Sequence, residues 1–463
     1  MTHRTEPSAW SALLRPLSTG LLVFALTGCG GGSASTGSAV PSTTVSTSAD
    51  TSAQGGTLAA ASVGTDATGG AAKVAATPTP PPPPLPPPLP SPLPPVGTAG
   101  LALTGLTPVE FAAFNAGKIS FTDVEKEPKL GPVFNGRSCA ECHSAPAVGG
   151  AGSQRVTRFG KSLAGVFDAL DSKGGSLLQS NAVPGVPLEA IPAEANVTAR
   201  RRTTGVYGFG LIEAIPDADI TAYAAAQAKA SPGQAGQVNF VTSPTDGTVH
   251  VGRFGWKCQQ ALLVDFAGDA YANEMGVSNR LFPIENRSNA SAVTIAADQV
   301  EDAPDAAGVA DIDRLTSFMR YVAPYPSRAS LHQKDDLAAE AALSKGYTAF
   351  NKAACAVCHR PSWVAGGNIP ELRGRRVWAF SDFLLHDIGT GDGIVQGSAP
   401  ANKLRTSLLM GVTQQFGYLH DGSARTVEDA IARHQGEAKV SLGLYNKLTS
   451  QERAELLAFV KGL

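Results

Sequence analysis

The chain has 463 residues, and its 37 Lys and Arg against 39 Asp and Glu give a formal net charge of −2. This near balance argues against nucleic acid as the main partner, because nucleic-acid-binding proteins usually carry a clustered basic surface. Charged residues are only 16% of the chain, while Gly (50) and Pro (33) are abundant. We therefore expect one segment of unusual composition that raises the Gly and Pro content and lowers the charged fraction below the value of a packed domain. The six cysteines are compatible with disulfides, a metal site or a cofactor, and their spacing decides among these.

Residues 1–29 predict a secretory signal of the lipoprotein type. Two arginines precede the apolar run Leu21–Ala25, which is too short to span a bilayer. The run is followed by Leu-Thr-Gly-Cys at residues 26–29, which resembles the lipobox of bacterial lipoproteins, where the signal is removed before the cysteine and that cysteine is acylated. We therefore expect Cys29 to carry a lipid anchor that holds the protein on the outer membrane, facing the periplasm. An ordinary signal cleaved elsewhere is the alternative.

Residues 30–98 form the segment of unusual composition. Their only charged side chains are Asp50, Asp66 and Lys73, and large apolar side chains are few, so the segment cannot bury enough surface to offset the entropy of ordering it. We predict a disordered linker, first rich in Ser, Thr and Gly and then proline-rich, with polyproline II favoured from Pro78 to Pro95. A spacer between the anchor and a working unit at 99–463 is the expected role, and a ligand for a binding module is the alternative.

Two copies of one short motif account for four of the cysteines: Cys139-Ala140-Glu141-Cys142-His143 and Cys355-Ala356-Val357-Cys358-His359. C-x-x-C-H is the attachment signature of c-type haem, in which two thiols form thioethers with the porphyrin and the adjacent histidine is the proximal iron ligand. Phe-Asn precedes each first cysteine at the same spacing, as Phe134-Asn135 and Phe350-Asn351. Zinc ribbons need no histidine after each pair, and a thioredoxin-like motif belongs to a βαβ pattern. The sequence therefore predicts two covalently bound haems.

Helical signals surround both motifs. Thr107 and Glu110 form a capping box with Pro108 at the first helical position, and Thr449 with Glu452 forms another before the last helix. Short strands are expected at 238–241 and 250–251. We predict a mainly α fold with two cytochrome c-like haem domains behind the disordered tail, an N-terminal one at 99–334 that contains a long insertion and a C-terminal one at 335–463. The leftover Cys258 is expected to be a small buried residue.

Further segments occur in a characteristic order: Phe134–His143, Gly208–Asp217, Gly252–Lys257, Asn273–Gly276, Leu385–Gly389, Leu419–Gly422 and His434–Ala438. With them the chain resembles the bacterial di-haem cytochrome c peroxidase superfamily, and most closely its di-haem oxidoreductase, or putative peroxidase, branch. Here it would be a lipoprotein member. In this family the C-terminal haem is a six-coordinate electron-transfer site, and the N-terminal haem is where peroxide or another oxidant reacts.

For the N-terminal haem the resemblance implies a group that moves a proton between the two peroxide oxygens. The counterpart in this chain is Glu274, which we expect to be the catalytic acid–base residue. Glu213 is the rival, and an ordinary surface carboxylate is the alternative for Glu274. Met275 or His250 could instead ligate the iron, which would make the protein an electron carrier.

For the C-terminal haem the family's sixth ligand lies on the helix after the His-Asp-Gly turn. At that place this chain has His434, with Val427 and Ile431 on the same helix face and Thr426 as the expected cap. We therefore expect iron ligated by His359 and His434, whose potential is lower than with a thioether ligand. Met410 is the alternative ligand and otherwise a core residue.

Other side chains are expected to support the haems. His386 and His420 are expected to orient haem propionates or loops, with the neighbouring Asp387 and Asp421 fixing their tautomers. Three tryptophans are candidates for an aromatic relay between the haems, although most tryptophans are simply core residues: Trp256, Trp363 and Trp378.

The expected function is that of a c-type di-haem peroxidase. Electrons would enter at the C-terminal haem and reach the N-terminal haem, which would reduce hydrogen peroxide or another small oxidant. The expected electron donor is a small periplasmic cytochrome or cupredoxin, and the resemblance leaves open a bound calcium ion. Two alternatives stay open, an oxidase that acts on an organic substrate at the same haem and a non-catalytic di-haem electron-transfer cytochrome.

Overall fold

Residues 99–285, 300–325 and 337–463 are described by the structure, a computed structural model, with the side chains of the last range described from residue 344. The predicted signal at 1–29 and the predicted linker at 30–98 lie outside these residues. Within the described ranges, none of the helices combines the length and the apolar character that a membrane crossing would require.

Helices contain more residues than strands in the described part, which confirms the predicted mainly α character. In chain order they are α1 (Pro108–Thr122), α2 (Cys139–Cys142), α3 (Phe209–Glu213), α4 (Asp217–Ala230), α5 (Leu263–Met275), α6 (Asp311–Tyr321), α7 (Leu337–Lys352), α8 (Val427–Ala432), α9 (Lys439–Asn446) and α10 (Ser450–Lys461).

Most strands in the described part of the chain are short, all of them pair antiparallel, and eight of the twelve lie before residue 252. They are β1 (Val133–Phe134), β2 (Arg155–Leu163), β3 (Val166–Asp168), β4 (Leu177–Leu178), β5 (Asn181–Ala182), β6 (Val197–Arg202), β7 (Phe240–Thr242), β8 (Val249–Val251), β9 (Trp363–Val364), β10 (Arg376–Val377), β11 (Leu385–His386) and β12 (Leu404–Arg405). In the largest sheet β2 pairs with β3, β4 and β6. β7 pairs with β8, with Val241 opposite His250, which confirms the two predicted strands within two residues.

Helix ends follow the capping chemistry that the sequence predicts. The Thr107 hydroxyl accepts a hydrogen bond from the Glu110 amide, and the Glu110 carboxylate accepts one from the Thr107 amide at 2.6 Å. Thr449 and Glu452 form the same reciprocal pair before α10. Thr426 caps α8 by accepting from an amide in its first turn. These side chains satisfy backbone donors that a helix N-terminus leaves without partners.

Two clusters of buried apolar side chains stabilise the fold. The larger cluster surrounds α3, α5 and α6 and includes Trp363 and Phe383 from the second half of the chain. The smaller cluster packs α7 against α10 through residues such as Tyr347 and Phe459. Cys258 is fully buried, as expected. Because the larger cluster draws residues from both sides of the boundary at 334, the two predicted haem domains share a core, and the exact boundary stays a sequence-based prediction.

Glycine allows the closest approach of helices in each half. A Cβ on Gly117 of α1 would overlap the Arg314 carbonyl oxygen of α6 and would lie 2.7 Å from the Phe318 nitrogen. A Cβ on Gly346 of α7 would overlap the backbone of Glu455 in α10. Backbone atoms of a packed helix cannot move aside as a flexible side chain can, so both crossings require glycine.

We expect Gly117→Ala to lower the free energy of unfolding by about 1 to 3 kcal/mol, the usual cost of overpacking a core. The matched control is Gly443→Ala in α9, where a Cβ would meet nothing within 4 Å and where alanine is the better helix former. Thermal and urea unfolding followed by circular dichroism measures both variants. Equal stability of Gly117→Ala and the parent protein would contradict the packing argument.

Candidate functional site

The second C-x-x-C-H motif lies on the wall of a cavity of about 160 Å³, called here the second cavity. Cys355 begins a 3₁₀ turn just after α7, and the His359 amide donates to the Cys355 carbonyl oxygen at 2.9 Å. Cys355, Cys358 and His359 all line the cavity. His434, which follows the end of α8, lines it as well. Two elements that are distant in sequence thus bring two imidazoles to one cavity.

A backbone carbonyl fixes each of these imidazoles. His359 Nδ1 lies 2.9 Å from the Phe380 oxygen, and His434 Nδ1 lies 2.7 Å from the Ala430 oxygen. Because a carbonyl oxygen only accepts, each Nδ1 carries the proton and each Nε2 keeps its lone pair. Burial lowers the pKa of His359 to about 4, to which the neighbouring His434 contributes, and burial also lowers the pKa of His434. Both rings are neutral with Nε2 available, which is the form of metal-ligating histidines.

The second cavity therefore fits a covalently attached haem. The thiols of Cys355 and Cys358 are free, and the rest of the lining is mainly apolar. Two thiols, two imidazole nitrogens and an apolar wall are the donor set and the surroundings that a six-coordinate c-type haem requires.

The first C-x-x-C-H motif borders a larger cavity of about 380 Å³, called here the first cavity. Cys139 and Cys142 are the ends of α2, and His143 follows as its C-cap. All three residues line the cavity. The N-cap of α2 is Ser138, whose hydroxyl accepts from a backbone amide within the motif. The short helix thus holds the thiols and the imidazole of the motif at one wall.

His143 has an unsatisfied ring nitrogen. Its Nδ1 is buried and has no hydrogen-bond partner among the described residues, although the carbonyls of Thr204 and Gly150 are close enough to act on its charge. Burial lowers the pKa of His143, so the ring is neutral. With its opening, the first cavity has about 1640 Å³ of free space. A neutral imidazole beside two free thiols in this space also fits a covalently bound haem.

Glu274 lies on the wall of the same cavity as the first motif. It ends α5 together with Met275, and Asn135 Nδ2 donates to its carboxylate at 3.0 Å. The amides of Asn135 and Gly136 donate to the Glu274 carbonyl oxygen at 2.7 and 3.1 Å. Burial raises the pKa of Glu274, the charge of Arg158 opposes this rise, and Asp269 adds to it. The first cavity therefore contains a buried carboxyl group that exchanges protons at higher pH than an exposed one.

The alternatives to Glu274 lie in different surroundings. Glu213 is buried in an ion pair with Arg320 at 2.8 Å, and it lines neither cavity. His250 pairs with Asp246 at 2.9 Å and also lies away from both cavities. Met275 does line the first cavity and is buried. Of these alternatives, Met275 alone is therefore near enough to the first motif to compete for the iron.

Trp256 lies between the two cavities. It lines both of them and also a small space of about 20 Å³ between them, the junction cavity. Met410 lines the junction cavity and not the second cavity. Trp363 is buried in the larger core cluster, where its Nε1 donates to the Ser381 oxygen at 2.8 Å, and Trp378 lines none of the three spaces. The relay predicted for one of three tryptophans is thus best supported for Trp256.

The partners of His386 differ from those expected. His386 lines the second cavity, and its two ring nitrogens lie 2.9 Å from Asp382 and 2.9 Å from Glu437. Burial lowers the pKa of His386, but the charges and hydrogen bonds of Asp382 and Cys358 together outweigh burial and raise the pKa well above its usual value. The prediction that Asp387 fixes the tautomer of His386 is wrong, because the Asp387 carboxylate instead accepts a hydrogen bond from Asn402 at 2.8 Å.

His420 also lines the second cavity, and its ring meets Trp256 edge-on with centroids 6.3 Å apart. Its Nδ1 is buried and has no hydrogen-bond partner among the described residues. Asp421, the expected partner, accepts from the Ser423 amide at 2.9 Å. The ring nitrogen of His420 therefore remains available to a group inside the cavity.

Sequence reasoning missed two arginines. Arg202 lines both cavities and the junction cavity, and Arg405 lines the second cavity and the junction cavity. Arg405 is the one charged residue in the stretch Leu404–Leu409, which was the one signal that could have pointed to it. Arg202 follows another arginine at the end of β6 and carries no such signal.

Comparison with known families identifies the class. Residues 181–463, more than half of the chain, match the family described as di-haem oxidoreductase, putative peroxidase. The chain therefore belongs to this family of di-haem, peroxidase-like oxidoreductases, and two haems are its family cofactors. The match includes the second C-x-x-C-H motif, while the first lies before its start. No curated protein matches the chain significantly.

Several solved structures are similar to the chain at low identity. The diheme peroxidase BthA from Burkholderia thailandensis is 16% identical, over 78% of this chain and 87% of that chain, with a TM-score of 0.40. A MauG-like protein associated with microbial copper homeostasis is 17% identical, over 80% and 92%, with a TM-score of 0.35. Hydrazine synthase from Kuenenia stuttgartiensis is 16% identical, over 86% and 100%, with a TM-score of 0.37.

Proposed function

We propose that the protein is a c-type di-haem peroxidase. One haem is attached to Cys139 and Cys142 with His143 as iron ligand, and the other to Cys355 and Cys358 with His359 and His434 as ligands. When bound, the two haems would supply one-electron redox chemistry at the C-terminal and N-terminal sites, and the reduction of one hydrogen peroxide to two waters at the N-terminal site would consume two electrons from the donor and two protons.

The position of Glu274 carries this proposal. A carboxyl group in the same cavity as the first motif can take a proton from one peroxide oxygen and return it to the other, the transfer that O–O cleavage requires. Asn135 orients the carboxylate through its 3.0 Å hydrogen bond and comes from the segment just before the motif. Burial, which raises the pKa of Glu274, makes the group able both to accept and to donate within a moderate pH range.

The asymmetry of the two cavities supports the division of roles. In the second cavity two neutral imidazoles, His359 and His434, are fixed by backbone carbonyls with Nε2 free, and the volume is about 160 Å³, whereas the first cavity has His143 alone and about 380 Å³. A site with two fixed imidazoles suits electron transfer, and a site with one leaves room for a small substrate. Trp256, which lines both cavities, offers an aromatic ring between the two sites.

The cellular setting is part of the same proposal. Cys29 would carry a lipid anchor on the outer membrane, and a small periplasmic cytochrome or cupredoxin would supply electrons. Support comes from the apolar run and Leu-Thr-Gly-Cys at residues 26–29, and from the two C-x-x-C-H motifs, because c-type haem is attached outside the cytoplasm.

A non-catalytic electron carrier is the second candidate, and Met275 favours it. The buried Met275 lines the first cavity, so its thioether could become the sixth ligand of that haem and exclude peroxide.

Electron paramagnetic resonance of the ferric holoprotein distinguishes the two candidates. We expect one high-spin signal from the first haem and one low-spin signal from the second, because only the second cavity has, besides its motif histidine, an imidazole fixed by a backbone carbonyl with Nε2 free, that of His434. Only low-spin signals in every redox state would contradict the peroxidase. The matched variant Met275→Leu should leave the spectrum unchanged in a peroxidase and should produce a new high-spin signal in a carrier.

A further inference from the structure

Two buried arginines without a carboxylate partner lie where the cavities meet. Arg202 is 8% exposed and Arg405 is 7% exposed. Arg202, at the end of β6, lines both cavities and the junction cavity, while Arg405, at the end of β12, lines the second and junction cavities. Among the described residues they are the only Arg or Lys side chains that line the second cavity, and no Asp or Glu lines it.

The hydrogen bonds of both guanidinium groups go to neutral oxygens. Arg202 Nε donates to the Leu419 carbonyl at 2.8 Å and its Nη1 to the Gln415 side chain at 2.5 Å. Arg405 Nε donates to the Gly255 carbonyl at 2.9 Å and its Nη1 to the Thr406 carbonyl at 3.1 Å. These contacts fix the planes of the guanidinium groups but leave their charges uncompensated by any hydrogen-bonded carboxylate, since Asp382 acts on Arg405 only through its charge.

The other buried arginines among the described residues are paired with acids. Arg201, the residue before Arg202, pairs with Asp392 at 2.7 Å, and Arg253 pairs with Asp217. Burial lowers the pKa of Arg202 to about 10, and repulsion from Arg405 contributes. A buried pair of like charges is costly unless an anion accompanies it.

A third donor faces the same space. His420 lines the second cavity, is 8% exposed, and has a buried Nδ1 without a partner among the described residues. It is tied to Arg202, because the Arg202 amide donates to the His420 carbonyl oxygen at 2.8 Å. An unsatisfied nitrogen next to two uncompensated guanidinium groups indicates a missing acidic ligand.

We infer that Arg202 and Arg405 together bind a propionate carboxylate of the haem in the second cavity, with His420 as a further donor. The inference rests on the proposed attachment of that haem at Cys355 and Cys358. A carboxylate matches the fork of a guanidinium group and would compensate its charge. The positive charges of Arg202 and Arg405 repel cations. The junction cavity therefore suits an anion and not the bound calcium ion that the family resemblance allowed.

This assignment gives the two arginines an effect on the haem potential. Reduction adds an electron to the haem, and nearby positive charge stabilises the reduced form. Ligation by two histidines lowers the potential relative to a thioether ligand. Arg202 and Arg405 would oppose that lowering and so keep the second haem reducible by its donor.

The test is Arg405→Gln in the full-length holoprotein, measured by spectroelectrochemistry and resonance Raman spectroscopy. We expect the equilibrium constant for reducing the second haem to fall about tenfold, which is about 59 mV for one electron, and the propionate-bending Raman band to shift. The matched control is Arg376→Gln, which removes an exposed arginine of β10 that lines neither cavity, and we expect it to change the constant less than twofold.

The variant Arg405→Lys and the haem content of the parent protein provide two further tests of the propionate site. If Arg405→Gln does not assemble, Arg405→Lys keeps the charge but loses the fork, so the potential should stay near that of the parent while the Raman band shifts. An unchanged band in Arg405→Lys, or an unchanged potential and band in Arg405→Gln with both haems attached, would overturn the inference and leave the peroxidase proposal intact. A parent protein without covalent haem at Cys355 and Cys358 would instead overturn the proposed function.

Discussion

Exchange of Glu274 for glutamine is expected to lower peroxide turnover by about 100-fold or more, within the range of a lost general acid–base group. Glutamine has nearly the same shape and can keep the contact with Asn135, which donates to Glu274 at 3.0 Å, but its amide cannot carry the proton. Steady-state turnover with a reduced donor measures the loss, and the optical spectrum checks that both haems remain attached.

Glu213→Gln is the informative companion variant, because Glu213 was the rival from the sequence. It is buried and paired with Arg320 away from both cavities. We expect this change to lower the unfolding temperature while turnover per folded molecule stays within about twofold of the parent, since buried ion pairs mainly affect stability. A 100-fold loss in Glu213→Gln with little loss in Glu274→Gln would transfer the proton role to Glu213.

The pH profile gives an independent readout of Glu274. The group must be deprotonated to accept a proton from peroxide, so turnover should fall as the pH drops through its pKa. Burial raises that pKa, which moves this acid limb above the ordinary carboxyl value of about 4.3. Glu274→Gln should have low activity without this limb. A limb that persists in the variant would belong to another group.

The local chemistry of the site could be predicted from sequence, because each C-x-x-C-H motif is five consecutive residues and carries its own donors. Helix caps at Thr107, Thr426 and Thr449 were predictable for the same reason. The placement of Glu274 and His434 came from a resemblance to a family, since nothing in the neighbouring residues indicates that either side chain reaches a cavity.

Contacts between distant segments could not be predicted. Asp387 was expected to hold His386 because it is the next residue, but His386 lies in β11, and successive strand residues point to opposite faces. Asp382 and Glu437 reach the imidazole from other segments. Arg202 and Arg405 meet only because β6 and β12 are brought to the same junction, and charged residues are usually exposed.

The Phe-Asn pair that precedes each C-x-x-C-H motif has a different structural role in the two copies. Phe134 lies in strand β1, whereas Phe350 lies in helix α7. Asn135 donates to Glu274 at the wall of the first cavity, while Asn351 donates to the Tyr347 carbonyl oxygen one turn earlier in its own helix. The same two residues thus position a carboxyl group at one haem site and only continue a helix at the other. This divergence parallels the proposed division into a reactive and an electron-transfer site.

Replacement of His434 by glycine is expected to convert the second haem from low spin to high spin. The variant loses the imidazole whose Nδ1 is held 2.7 Å from the Ala430 oxygen, and the space left in the cavity admits water or a small ligand. Optical and paramagnetic resonance spectra measure the change, and added imidazole should restore the low-spin form by filling the space.

Met410→Leu is the matched control for this variant, because Met410 was the alternative ligand and lines the junction cavity rather than the second cavity. We expect its spectrum to equal that of the parent. An unchanged spectrum in His434→Gly together with a new high-spin signal in Met410→Leu would assign the ligand to Met410. Loss of the low-spin signal in His434→Gly alone would assign the sixth ligand to His434, since the second haem would then keep only its motif histidine, His359, as an iron ligand.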